Sequence, residues 1–407
     1  MTFSKKAVIL QIAVASFLVQ AASAIGMRHD VDEMEYLSLA ANGEGYEPGN
    51  VPDFSAVAAI GIANRRGRFD VVGSGTLIGD RWVLTAAHVV LASKRSRHDF
   101  EQGLKVRFGI NSQDGFQEYK VVGITTALPV DKLRPLQGPA WRYTERQIVH
   151  AEFHDIALLK LEKVVEGITP IPWDDLGEDL VGQRVYIAGF GDAAPGDDPQ
   201  EGNWTPAELR RAAENIIDRD IRKNPLSGQP AGGVLLFDFD NGEESRNSLN
   251  GRSRVWERIF GTGKSSASPT QLEGASYPGD SGGPAIAKVD GLWRVVGVSG
   301  YGTGFPPDKR RTSIQYGDIL VYARANSMSD WLRNIVGEPV ITPIPEDLPT
   351  PEEGEMPNPV EPGEVIVEVG PPLEEPAEAT TEETAELPTT EVADSTPVVA
   401  PEIEIPN

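Results

Sequence analysis

Six consecutive residues, Gly279-Asp280-Ser281-Gly282-Gly283-Pro284, set one hydroxyl and one carboxylate among small, flexible neighbours. Such a stretch is poor material for a packed strand. It suits a tight loop that presents Ser281 to a cleft and turns backbone N–H groups inward, because glycine lets the backbone approach a ligand without a Cβ in the way. A serine hydroxyl alone is a weak nucleophile and needs an adjacent base. The loop therefore calls for a histidine, and for a carboxylate to orient it. Both lie upstream. His88 ends Thr85-Ala86-Ala87-His88, after the apolar run Trp82-Val83-Leu84, and Asp155 heads the strand-like Asp155-Ile156-Ala157-Leu158-Leu159-Lys160-Leu161. Along the chain the order is His, Asp, Ser.

The elements that must hold these groups read as short strands. Ala56–Ile62, Val71–Ile78 and Trp82–Leu84 are apolar runs separated by glycine-containing turns, a pattern of all-β barrels or sandwiches. Val185–Gly191, Ala285–Ala287, Trp293–Ser299 and Ile319–Ala323 continue it. Ser329–Val336 reads as a closing helix with Gly337 as its stop. Pro206–Ile217, taken alone, is helix-like, with Thr205 as cap and Pro206 in the first turn. Residues 28–50 read as a polar, partly helical lead-in, and 222–268 as surface excursions. Ser74, in Gly73-Ser74-Gly75, is a second candidate hydroxyl, but it lacks the Gly-x-Ser-x-Gly elbow and reads as an ordinary strand serine.

With its three motifs in this order, the chain resembles a trypsin-like serine protease of the chymotrypsin fold, of the secreted bacterial type, over roughly residues 50 to 336. The resemblance implies two six-stranded antiparallel β-barrels with a C-terminal helix. It implies a triad of Ser281 as nucleophile, His88 as base and Asp155 as orienting acid, with the N–H groups of Gly279 and Ser281 as the oxyanion hole. It implies that a mature N-terminal Ile25 sets its ammonium beside Asp280. By family position Ala275 stands where trypsin-type enzymes carry an aspartate, Ser299 and Gly300 form one pocket wall, and Leu320, near a usual glycine, shortens the pocket. Cleavage after basic residues is not expected, since a cation there would be uncompensated. The implied partners are protein or peptide substrates, with no cofactor and no metal.

The chain has 407 residues and a formal net charge of −24, but its acidity is uneven. Of 61 Asp and Glu residues, 19 lie between Glu338 and Asn407, where there is no Lys or Arg, so the preceding chain is near balance. That tail also holds 15 of the 32 prolines, a composition that cannot build a core and reads as disordered. No basic cluster suggests nucleic-acid binding. Lys5 and Lys6 precede an apolar run from Ala7 to Val19 and then Ala22-Ser23-Ala24, the anatomy of a secretory signal cleaved after Ala24. The run is too short to serve comfortably as a membrane anchor. The domain plan is thus signal 1–24, protease 25–337 and tail 338–407, in a secreted or periplasmic protein. Ile25 either becomes the activating N-terminus at once or starts a short propeptide.

Cysteine is absent, and Val89 and Tyr277 stand where many relatives have it. A folded part of this size can do without disulfide staples. His150 and His154, four residues apart, would suit a metal only on a helix, whereas the following residues are strand-like. His98 reads as solvent-facing. Two other functions fit the motifs less well. A catalytically inactive relative that binds proteins through the same cleft would commonly have lost one of the three residues, and an esterase would carry the α/β-hydrolase elbow and order.

Overall fold

A computed structural model describes residues 25–341, apart from 48, 65–66, 92–102, 134–135, 137–150, 198–207, 224–231, 253–256, 258–259 and 304–314. The expected signal segment, the tail beyond 341, His98 and His150 lie outside the described residues. The lead-in begins with a two-residue strand, β1 (Gly26–Met27), and a helix, α1 (Glu33–Ala41). Asp32 caps α1 by accepting the Met34 N–H at 2.9 Å, and Glu33 and Glu35 lie at its positive end. Tyr36, Leu39 and Ala40 are its buried face, so this segment is docked rather than a loose leader.

Six strands then close the first barrel: β2 (Val57–Ala63), β3 (Phe69–Gly79), β4 (Trp82–Thr85), β5 (Leu104–Phe108), β6 (Gln117–Thr126) and β7 (Ala157–Leu161), in the order β2-β3-β4-β7-β6-β5. In β5 the period is two: Leu104, Val106 and Phe108 are buried, while Lys105 and Arg107 face outward to Glu118. One register matters most for the site. Thr85, the last residue of β4, pairs with Ala157, the first of β7. Chain leaving β4 and chain entering β7 therefore meet at one end of the barrel.

The second half contains β8 (Arg184–Gly189), β9 (Ala194–Pro195), β10 (Arg211–Ile216), β11 (Arg219–Ile221), β12 (Val234–Asp238), β13 (Gly274–Ala275), β14 (Pro284–Val289), β15 (Leu292–Thr303) and β16 (Ile319–Arg324). Seven of them form a sheet ordered β10-β8-β14-β15-β16-β12-β11, and β1 lies between β13 and β9 in a small separate sheet. The seven-stranded sheet differs from the expected six for a simple reason. Its two end strands, β10 and β11, are one stretch of chain broken only at Ile217 and Asp218. There the backbone changes partner, from Gln183 O at Ile217 N–H to Leu236 O at Asp218 N–H. The seven segments are thus six passes of the chain.

Two expectations are corrected. The helix over 206–217 is not formed: Arg211–Ile216 is the fully paired strand β10, with five of its six residues buried. Pairing with β8 outweighs the local preference, which is worth only tenths of a kcal/mol per residue. The stretch 222–268 is not all surface, since every residue of β12 is buried. The closing helix, α2 (Ser329–Val336), does form, and Gly337 at φ 105° ends it. It returns to the first barrel, where a Cβ on Gly79 would lie 2.8 Å from Val336.

Candidate active site

His88 sits in a single helical turn, Ala87–Val90, directly after β4. Asp155 closes a tight turn just before β7, its N–H donating to Glu152 O at 3.3 Å. The β4–β7 register sets them face to face. Both carboxylate oxygens of Asp155 are used on His88: Oδ1 accepts the backbone N–H at 2.8 Å, and Oδ2 bonds ring Nδ1 at 2.6 Å. With Nδ1 held as donor, Nε2 is left as the basic nitrogen. Burial pushes the imidazole pKa down, but the charge of Asp155 and its hydrogen bond outweigh this, and the net shift is upward.

Ser281 reaches the same end of the barrel through its backbone. Its carbonyl accepts from Ser74 N–H on β3 at 2.8 Å, and a Cβ on Gly282 would strike Thr85 Oγ1 and lie 2.8 Å from Ala86 N. The loop is thus packed onto the residues that lead into His88. Gly279 and Gly282 have φ of 101° and 83°, where side chains are strained. The hydrogen bonds of the imidazole run to Asp155 and not, among the described residues, to the Ser281 hydroxyl.

The N–H groups of the loop can be accounted for one by one. Tyr277 donates to Asp280 Oδ2, Asp280 to Tyr277 O, Gly282 to Ser299 O and Gly283 to Asp280 O. Among the described residues, only the N–H groups of Gly279 and Ser281 in this loop have no protein acceptor. These are the two expected to hold an oxyanion.

Asp280 is buried beneath the loop. It accepts from Tyr277 N–H at 2.9 Å and Gly191 N–H at 3.3 Å, and its pKa is pushed up to about 8 by burial, against the pull of those bonds and of Arg211. The side chain of Ile25 is fully buried beside Gly274. Gly26 pairs with Ala275 on one side and Ala194 on the other. One residue back, Ile25 falls level with Ser276 and Ala193, next to the segments whose N–H groups bind Asp280. The register therefore carries Ile25 toward that carboxylate.

Of the expected pocket residues, Ala275 is buried beside Gly26. Ser299 joins Gly282 and Gly283 through its backbone, and Gly300 is the extra residue of a bulge in β15, where a Cβ would lie 3.7 Å from Asp155 Oδ2. Leu320 is buried on the same face of β16 as Tyr322. Three features escaped the sequence reading. Tyr322 is buried near Ser276 and Ser299, and burial raises its pKa against the pull of those two side chains. Tyr301 O–H donates to Glu152 Oε2 at 3.0 Å, and burial pushes Glu152 up to about 8, helped by the nearby charge of Asp155. Ser74, read as an ordinary strand serine, has its hydroxyl bonded at both ends. Among the described residues, no group of His, Cys, Asp and Glu is arranged to hold a metal ion, and no helix is long and apolar enough to cross a membrane.

The family model of the trypsin-like peptidase domain matches residues 73–298, more than half of the chain, a span that includes His88, Asp155 and Ser281. Serine protease 41 of Homo sapiens is 26% identical over 318 residues, covering 73% of this chain and 81% of that protein. Among solved structures, neuropsin, a serine protease expressed in the limbic system of mouse brain, matches with 22% identity and a TM-score of 0.41 over 69% of this chain and 93% of its own. The chain belongs to the trypsin-like peptidase domain family.

Proposed function

We propose that the chain is a secreted serine endopeptidase acting through His88, Asp155 and Ser281. The observation that carries this reading is the pair of N–H groups without acceptors, Gly279 and Ser281, in a loop whose other backbone N–H groups all have one. Ser281 Oγ attacks the peptide carbonyl while His88 Nε2 takes its proton. The carbonyl oxygen, now negative, enters the Gly279–Ser281 hole, where one donor is worth about 3 kcal/mol of barrier. His88 returns the proton to the leaving amine, and water then releases the acyl group by the same steps reversed. Asp155 keeps Nδ1 protonated and balances the imidazolium. A fluorophosphonate probe tests the reading. It labels the mature protein and not Ser281→Ala, and the labelled protein loses hydrolysis of a denatured protein substrate. Absence of labelling in the wild type would favour the inactive, protein-binding alternative.

The start of the mature chain is proposed to be Ile25, released when the signal segment 1–24 is removed. Its ammonium then supplies an adjacent cation for buried Asp280, since a carboxylate at this depth is costly without one. The docking of Ile25, Met27 and α1 into the core argues against a later cut that would strip them. N-terminal sequencing of the secreted protein checks the position. The side-chain pocket is proposed to take small or medium apolar residues, because Ala275 offers no charge and Leu320 fills its face of β16. A peptide library would then show cleavage after Ala, Val or Leu, and preference for Arg would overturn the assignment. Residues 338–407 are proposed as an unstructured acidic extension, whose deletion leaves kcat unchanged.

A further inference from the structure

Ser74 is fully buried, and its polar contacts reach the loop of Ser281, the chain that leads into His88 and the residue that follows β8. Its N–H donates to Ser281 O at 2.8 Å. Its hydroxyl donates to Gly279 O at 2.9 Å and accepts from Phe190 N–H at 3.0 Å. Its carbonyl accepts from Thr85 Oγ1 at 2.7 Å, three residues before His88. One residue of the first barrel thus grips both residues whose N–H groups lack acceptors, together with the segment that carries the base.

We propose that Ser74 is a positioning residue for the reaction: its hydroxyl fixes the orientation of the Gly279 carbonyl, and so the aim of the Gly279 and Ser281 N–H groups at the developing oxyanion. The inference rests on the endopeptidase reading above. The peptide between Gly279 and Asp280 is held at its oxygen by Ser74 and at its N–H by Tyr277 O, so it has one orientation while both bonds last. A glycine at φ 101° offers little resistance of its own to rotation. Removing the hydroxyl leaves Gly279 C=O and Phe190 N–H buried without partners, a state that backbones avoid by turning toward another partner. The loss then falls on the transition state rather than on the bound substrate, whose β-strand pairing is made elsewhere.

The test compares Ser74→Ala and Ser74→Thr with the wild type. In Ser74→Ala, kcat falls at least tenfold while KM stays within twofold, and the Ki of a peptide aldehyde, whose hemiacetal oxygen occupies the hole, rises by the same factor. Ser74→Thr keeps the hydroxyl and recovers most of the activity. Equal kcat in Ser74→Ala, or a change confined to KM, overturns the proposal. Amide hydrogen exchange over residues 277–284 gives a readout independent of catalysis. Exchange there is faster in Ser74→Ala and restored in Ser74→Thr, and unchanged exchange refutes the role even if the wild type proved inactive. Failure of the wild type to react with the fluorophosphonate, with the exchange result intact, would count against the endopeptidase reading alone.

Discussion

At the scale of single residues, the two-point grip of Asp155 on His88 makes a pH prediction. A base must be neutral to accept the Ser281 proton, and the His88 pKa lies above its ordinary 6.5. Activity is therefore lost as pH falls through a value above 6.5, and kcat/KM against pH rises to a plateau on the alkaline side. Asp155→Asn removes the charge that raised the pKa. The midpoint then moves down, while kcat drops on the order of 10⁴-fold because the tautomer is no longer enforced. A midpoint that stayed in place would mean that Asp155 does not set the basicity of His88. These residues were legible in the sequence because each sits in a local motif whose chemistry asks for the others. Ser74 was not legible in that way. Its hydroxyl partners are 205 and 116 positions away, and nothing local distinguishes it from a strand serine.

At the scale of elements, the site depends on how closely the nucleophile loop lies on the chain between β4 and His88. Gly282 is the contact point. An added Cβ would meet Thr85 Oγ1 and Ala86 N, at a φ of 83° that already disfavours side chains. Gly282→Ala is expected to cut kcat more than a hundredfold while lowering stability by about 1–3 kcal/mol, checked by steady-state kinetics beside thermal unfolding. The strands that lead into His88, Asp155 and the loop of Ser281 were readable from apolar runs and glycine turns, and so were the lead-in helix and the closing helix, whereas β5, β6 and β11 were not singled out and β12 was read as surface. The stretch 206–217 was not. Its alanines, glutamates and arginines favour a helix locally, but Ala212 and Ala213 are buried in pairing with β8. Asn215 bonds Asp238 O and Gly274 O, and Glu214 bonds Arg184. None of these partners is near in sequence, so the information that decides the strand is tertiary.

At the scale of the whole molecule, the half built on the seven-stranded sheet carries a cost that composition did not reveal. Asp218, Asp238, Asp240 and Glu273 are buried close together. Burial is the first cause of an upward pKa shift in all four. Repulsion from neighbouring carboxylates adds to it in Asp218, Asp240 and Glu273, with Asp240 brought to about 9 and Glu273 to about 8. In the unfolded chain such groups titrate near 4. Between that pH and about 8 to 9 the folded protein holds protons that the unfolded chain has released. Stability is therefore fullest on the acid side of the window and declines as pH rises, by about 1.4 kcal/mol per pH unit for each proton so retained. Measured on Ser281→Ala to prevent self-digestion, Tm is expected to fall between pH 5 and pH 8.5. Asp240→Asn, neutral throughout, flattens that slope and raises Tm at pH 8.5 relative to the parent. The ammonium proposed for Ile25 does not cancel the effect, since its proposed partner is Asp280. A Tm that rose with pH over this range, or an Asp240→Asn slope as steep as the parent's, would show that these carboxylates are ionised and compensated in the folded protein.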